Sequence, residues 1–254
     1  MRAMNEYTDM LKERLIVEFA RHDRSGVYGY TQRKMSYNSN RIEGSTLTEK
    51  QTASIFYTGT VESDTDSIVV RTKDIEEMTG HFSMFNEMLK TYNEPLSGSL
   101  IKRYHYALKS GVFEDVANGY PIGEYKNRRN IVSDVVTCPP EKVEEEINRL
   151  FEWYESTEEK TLSVLAELHI RYERIHPFQD GNGRTGRLIL YKECLRNGIC
   201  PFVIEDSQKH EYYKALGDVQ ELTKLFVKEQ EIYKDSTLDM VVPVPVPERL
   251  GPKR

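Results

Sequence analysis

The stretch His176-Pro-Phe-Gln-Asp-Gly-Asn-Gly-Arg-Thr-Gly-Arg187 gathers residue types suited to phosphate chemistry. Pro177 cannot extend a helix arriving from the preceding segment, so His176 is expected at a helix end beside a loop. Gly181 and Gly183 around Asn182 permit backbone shapes that aim successive N–H groups at one point. A helix starting at Gly183 adds its own unpartnered N–H groups, and an anion fits there. Arg184 and Arg187, three apart, share a face of the first turn, where each cation opposes the helix dipole by about 0.3–1 kcal/mol. No acid lies between them in sequence, so a polyphosphate is the expected counter-ion. Asp180 is a candidate Mg²⁺ ligand, because that ion takes one or two carboxylates and completes its shell with phosphate oxygens and water. His176 can accept a proton near neutral pH. Base, carboxylate and anion cradle together suit phosphoryl or nucleotidyl transfer. Each residue taken alone also has a plain structural reading: His176 as a helix end, Asp180 as a turn residue, the glycines as turn formers.

The elements that must hold these residues read as helical. Apolar spacing predicts helices over 3–20, 71–92, 97–109, 141–155, 161–175, 183–196, 207–217 and 219–234. Thr46-Leu-Thr-Glu49 has the form of a capping box opening another helix. Residues 21–38, with Gly26 and Gly29, read as irregular, and 58–68 as a loop rich in Thr, Ser and Asp. Within 119–140, glycine and proline punctuate a β-branched run at 131–136, which predicts a short hairpin or flap. The segment 241–247 alternates Val and Pro and is expected to extend as polyproline II. The fold class is all-α with one small hairpin.

The chain has 254 residues, 38% hydrophobic and 30% charged, enough for one large domain or two modest ones with a real core. A net charge of −6 argues against bulk nucleic-acid binding. Three cysteines without a CxxC pair suggest reduced thiols. The first residues lack the apolar core of a signal peptide, and no run is long enough for a membrane span. The expectation is a cytoplasmic protein with no membrane partner.

The string from His176 to Arg187 closely resembles the motif of the Fic (filamentation induced by cAMP) family, His-x-Phe-x-(Asp/Glu)-Gly-Asn-Gly-Arg-x-x-Arg, with every specified position filled. The resemblance runs from about residue 36 to 217. It implies a compact helical Fic core with a β-hairpin flap, and AMPylation: attack of a protein hydroxyl on the α-phosphate of ATP. His176 would be the base and Asp180 the Mg²⁺ ligand. Gly181, Asn182, Gly183, Arg184, Thr185, Gly186 and Arg187 would bind ATP, with Arg187 on the γ-phosphate, and Phe178 would anchor the loop. Tyr213, in His210-Glu-Tyr-Tyr-Lys-Ala-Leu216, would sit near the nucleotide. The flap would dock the target as an added strand. The implied division is an N-terminal helical region 1–95, a catalytic core 96–218, and a C-terminal helix with Pro-rich tail 219–254.

Ser39-Asn-Arg-Ile-Glu-Gly44 matches the family's inhibitory pattern, (Ser/Thr)-x-x-x-Glu-(Gly/Asn). The resemblance implies that Glu43 pairs with Arg187, with Ser39 and Gly44 completing the segment, so that ATP binds in a pose unfit for transfer. A carboxylate can hold an arginine fork and compete for the same donors. The plain alternative is that Ser39 caps a short helix with Glu43 in solvent and Gly44 at its end. The expected partners are ATP and a protein bearing the acceptor hydroxyl, which could be the chain itself, with a homo-oligomer as a further expectation. Other functions in view are removal of AMP, transfer of another nucleotide, or a silent ATP-sensing module.

Overall fold

The computed structural model describes residues 2–62, 69–132 and 135–242. The order is α1 (Arg2–Ala20), α2 (Val27–Ile42), α3 (Glu49–Thr58), α4 (Thr72–Thr91), α5 (Gly98–Lys109), α6 (Phe113–Ala117), β1 (Ile131–Val132), β2 (Val135–Val136), α7 (Val143–Ser156), α8 (Leu162–Ile175), α9 (Asn182–Arg196), α10 (Lys209–Ala215) and α11 (Val219–Val241). The two strands pair antiparallel, Ile131 with Val136 and Val132 with Val135, so the β-branched run does form the hairpin. The Val-Pro tail from 243 lies outside the described residues, as do 63–68 of the polar loop. No helix among the described residues is long and apolar enough to cross a membrane.

The segment read as irregular is a helix. α2 passes through the middle of the protein and packs against α1, α4 and α9. Its buried side chains include Val27, Tyr28, Thr31, Met35 and Ile42. Gly29 misleads because its role is tertiary. A Cβ there would lie 2.0 Å from the Arg24 carbonyl oxygen, so only glycine lets the preceding turn close on the helix. Glycine costs a helix about 1 kcal/mol, which burial of neighbouring apolar side chains readily offsets.

The capping box also lies two residues later than expected. Thr48 caps α3, its hydroxyl accepting from Gln51 N–H at 3.2 Å while Gln51 Oε1 accepts from Thr48 N–H at 3.0 Å. Thr46 instead gives its N–H and hydroxyl to Asp74 Oδ2, at 2.9 and 2.7 Å, tying the end of the α2–α3 connection to the start of α4.

One apolar cluster runs from Tyr7 to Val241 and takes residues from both ends of the chain. Inside it, tyrosine hydroxyls find partners across helices: Tyr7 with Thr237 at 2.5 Å, Tyr233 with Thr31 at 2.6 Å and with Tyr191 at 2.9 Å. These bonds join α1, α2, α9 and α11, and they hold α2 against the helix that carries the arginines. α11 runs on to Val241, past the expected end at 234, because Thr237 and Val241 still face this core.

Candidate active site

The site is the turn between α8 and α9. His176 ends α8 in the left-handed region, φ 53° and ψ 64°, with its N–H on the Tyr172 carbonyl at 2.9 Å. A non-glycine residue there is strained, and surrounding contacts must hold it. Pro177 forbids continuation, and its carbonyl accepts from Lys126 N–H at 2.9 Å. Phe178 is fully buried and stacks on His105 with centroids 4.0 Å apart. Asn182 Oδ1 accepts from Phe178 N–H at 2.8 Å, and its Nδ2 donates to the Phe178 carbonyl at 2.9 Å. Gly181, at φ 82°, then opens α9. The first backbone bond of that helix is Thr185 N–H to Gly181 O at 3.0 Å, which leaves the N–H groups of 182–184 ahead of the ladder.

The His176 ring is held by one backbone contact, Nδ1 at 3.3 Å from the Glu173 carbonyl. If Nδ1 carries the hydrogen, Nε2 keeps its lone pair for an incoming proton. Burial first, then the nearby Lys126 cation, push the imidazole down to about 4, so it stays neutral at physiological pH.

The anions missing from the motif come from elsewhere in the chain. Arg184, 2% exposed, meets Glu77 of α4 at 2.7 Å and Asp180 at 3.3 Å. Arg187 donates through Nε to Ser39 Oγ at 2.9 Å, and through Nη2 to the Ser39 carbonyl at 3.0 Å and Glu43 Oε1 at 2.7 Å. Glu43 follows the last turn of α2, and Gly44, at φ 92°, turns the chain away. The Glu43 carboxylate also covers the start of α9. A Cβ at Gly183 would fall 2.3 Å from Glu43 Oε1 and 2.8 Å from Arg187 Nη1. The external counter-ion expected from the arginines is thus replaced by the chain's own acids. Ser39 does not cap a helix start, because it lies inside the buried last turn of α2.

Asp180 is already engaged. Its Oδ2 meets Lys109 Nζ at 2.7 Å and its Oδ1 accepts from Gly181 N–H at 2.7 Å. Burial alone would raise its pKa, yet Arg184 and Lys109 hold it well below the usual carboxylate range. Lys109, 1% exposed, also meets Glu77 and Asp115, each at 2.6 Å. The Asp180 side chain remains 35% exposed.

Three of the anticipated nucleotide contacts are placed otherwise. The Asn182 side chain is spent on the turn, as described. Thr185 is fully buried and its hydroxyl donates to the Gly181 carbonyl at 2.9 Å. Gly186 faces α8, where a Cβ would lie 2.8 Å from Glu173 Oε1 and 3.0 Å from His169 Cε1. Helix packing claims both. Gly181, Gly183, Arg184 and Arg187 do line the α9 start. Tyr213 stands 47% exposed, its hydroxyl 3.4 Å from the Ile42 carbonyl beside Glu43.

Sequence reasoning missed Glu77, Lys109, Asp115, His105, Lys126 and Glu173. The one weak signal was an acid, Glu77, set beside Met78 and one turn before His81 on a predicted helix. His105 fixes the loop from below: its Nδ1 accepts from Gly123 N–H at 2.9 Å, so its Nε2–H points at the Asp180 carbonyl at 3.1 Å.

A helical bundle whose α8–α9 turn joins a histidine, a carboxylate, a Gly-Asn-Gly helix start and two arginines defines a Fic-type domain. The family model described as Fic/DOC family matches residues 95–194, and the chain belongs to this family. It is similar to the protein adenylyltransferase Fic of Nematostella vectensis, 30% identical over 190 residues, which is 71% of this chain and 42% of that protein. Its counterpart of the same name in Drosophila melanogaster is 27% identical over 228 residues, 83% of this chain and 44% of that protein. The chain thus spans less than half the length of these curated relatives. Among solved structures, a Fic domain containing signaling protein from Bacteroides thetaiotaomicron superposes with TM-score 0.70 at 22% identity, covering 91% of this chain and 95% of that one. Fic-1 from C. elegans gives 0.68 at 22% identity, covering 93% and 72%. At that identity the structures speak for the helical Fic fold.

Proposed function

We propose that this chain is a protein adenylyltransferase, moving AMP from ATP to a Tyr, Ser or Thr hydroxyl of a protein, and that Glu43 restrains it. The observation that carries this reading is an imidazole at the end of α8, beside a helix start whose arginine is held by an internal carboxylate. Relatives named protein adenylyltransferase Fic support it.

In the reaction the acceptor oxygen bonds to the α-phosphorus, the bond from that phosphorus to the β-phosphate oxygen breaks, and pyrophosphate leaves. The hydroxyl proton passes to His176 Nε2. The free N–H groups at the start of α9 and the Arg184 and Arg187 guanidiniums take phosphate charge, so positioning and neutralisation carry the catalysis. Mg²⁺ fits the donor set in one respect: Asp180 is an ionised carboxylate with an exposed edge, and one such ligand is enough when phosphates supply the rest. Asp180 would hold the ion, which neutralises charge on the phosphates when bound. Lys109 and Arg184 orient that carboxylate. Glu43 inhibits by taking the Arg187 donors meant for the γ-phosphate and by standing over Gly183.

A 28% exposed carboxylate beside the cradle also suits the reverse task, with Glu43 directing a water at an AMP-modified side chain. Intact-mass measurement after incubation with Mg·ATP tests the main reading. Glu43→Gly should gain the mass of one AMP per modified hydroxyl, on itself or on a target, and Glu43→Gly with His176→Ala should gain none. Absence of any AMP adduct from the single variant, in the presence of cell lysate, would overturn it.

A further inference from the structure

The mechanism above leaves one buried acid unused. Glu173, in the last turn of α8, places Oε2 3.8 Å from His176 Nδ1, on the ring edge opposite the nitrogen that takes the proton. Its other oxygen, Oε1, is buried and accepts no hydrogen bond. A buried carboxylate oxygen without a donor is costly and calls for an explanation. Its nearest cationic candidate, His169 Nε2 at 3.9 Å, is already bonded to the Tyr212 hydroxyl at 2.7 Å. Gly186 makes the space, since a methyl there would come within 2.8 Å of Oε1. The sequence therefore keeps a carboxylate behind the base by leaving out a side chain on the facing helix.

We propose that Glu173 is a positioning residue for His176: its carboxylate draws Nδ1–H into a fixed orientation and stabilises the imidazolium formed when Nε2 accepts a proton. The identity of the proton donor rests on the adenylyl-transfer reading, whereas the pairing does not. The proton stays on Nε2 until the ring releases it to solvent, and it is not handed to Glu173. The weak 3.3 Å contact from Nδ1 to the Glu173 carbonyl leaves the ring free to make this adjustment.

The surroundings tune the pair. Burial pushes the Glu173 carboxyl up to about 7, Arg187 of α9 opposes that, and Glu43 of α2 adds to it. His169 and Tyr172 face it from its own helix, and the Tyr212 and Tyr213 hydroxyls from α10. His176 feels Lys126 from the base of the flap, together with Glu43 and Asp180. At 3.8 Å the His176 ring senses the charge state of the Glu173 carboxyl. Departure of Glu43 removes a negative charge from beside Glu173 and favours its ionised form.

The test is titration of the ¹⁵N-histidine ring signals of the full chain, comparing the parent with Glu173→Gln and with Gly186→Ala, whose methyl displaces the carboxylate. The His176 signals should show a step near neutral pH in the parent that is lost in both variants. In a Glu43→Gly background, Glu173→Gln should lower kcat about tenfold or more with KM for ATP held, and erase the limb of the pH profile near neutrality. An identical His176 titration in parent and variants, or an unchanged kcat and pH limb, would overturn the proposal. If Glu43→Gly transfers no AMP, the ring titration still decides the pairing, and only the adenylyl-transfer reading fails.

Discussion

Glu43 Oε1 lies 2.7 Å from Arg187 Nη2, a contact that joins the end of α2 to the first turn of α9 across 144 residues of sequence. The guanidinium is 4% exposed, and burial would weaken its charge if the carboxylate did not hold it. The same carboxylate stands against Gly183 at the helix start, the place where the proposed reading would put a phosphate oxygen.

The two side chains that hold Arg187 should not contribute equally. Glu43 gives a charge-assisted bond, worth about 1.5–3 kcal/mol, and Ser39 Oγ a weaker one to a neutral acceptor. Initial rates of AMP incorporation should therefore rank Glu43→Gly first, Ser39→Ala second and the parent last. The first step should be about tenfold or larger. A Ser39→Ala rate equal to that of Glu43→Gly would mean that the hydroxyl, and not the carboxylate, sets the inhibited state.

Lys109 is the structural centre of the carboxylate side of the site. It is 1% exposed and meets Glu77, Asp115 and Asp180 within 2.7 Å. Lys109→Met keeps the volume and removes the charge, leaving Glu77 and Asp180 to Arg184 and stripping Asp115 of its Lys109 ion pair. Breaking a buried ion pair in this way costs about 3–5 kcal/mol. The urea midpoint should drop accordingly, and ATP affinity should lose part of its dependence on Mg²⁺ as Asp180 is freed to turn. An unchanged urea midpoint would contradict the ionic cluster.

Mild acid should destabilise the fold through its buried histidines. Burial lowers His81, His105 and His169 to about 3, and His176 to about 4, from an ordinary value near 6.5. These rings are neutral when folded, so the unfolded chain gains up to four protons as pH falls below 6.5 and the folded chain does not. Their stabilisation is lost in that direction. Glu173 and Glu229, raised by burial to about 7, act oppositely: their contribution is present below their unfolded value of about 4.5 and lost as pH rises through 7. Four protons against two leave a net loss of stability on acidification from about 6.5 to 4.5, about 1.4 kcal/mol per pH unit for each net proton. Urea midpoints at pH 7 and pH 5 check this, and an equal or higher midpoint at pH 5 would contradict it.

The motif was legible because its chemistry is local. Pro177, the glycine pair and the spacing of the arginines fix a helix end, a turn and a helix start within twelve residues. The hairpin and most helices followed from periodicity. α2 was not legible: the reason for Gly29 is a carbonyl five residues earlier folding back on it, which no local pattern carries. Asn182 shows the same limit inside the motif. It reads as a phosphate ligand by type, yet its amide is used to close the turn on Phe178. Glu77, Lys109 and Glu173 escaped because a buried acid or lysine on a helix looks like a solvated one until its neighbours are in place.

The most direct measurement uses ATP labelled at the α- or the γ-phosphate, offered with Mg²⁺ to the parent, to Glu43→Gly, and to Glu43→Gly with His176→Ala. The account predicts strong protein labelling by Glu43→Gly from the α-label alone, faint labelling by the parent, and none when His176 is also removed. Labelling from the γ-position, or equal labelling of parent and Glu43→Gly, would contradict it.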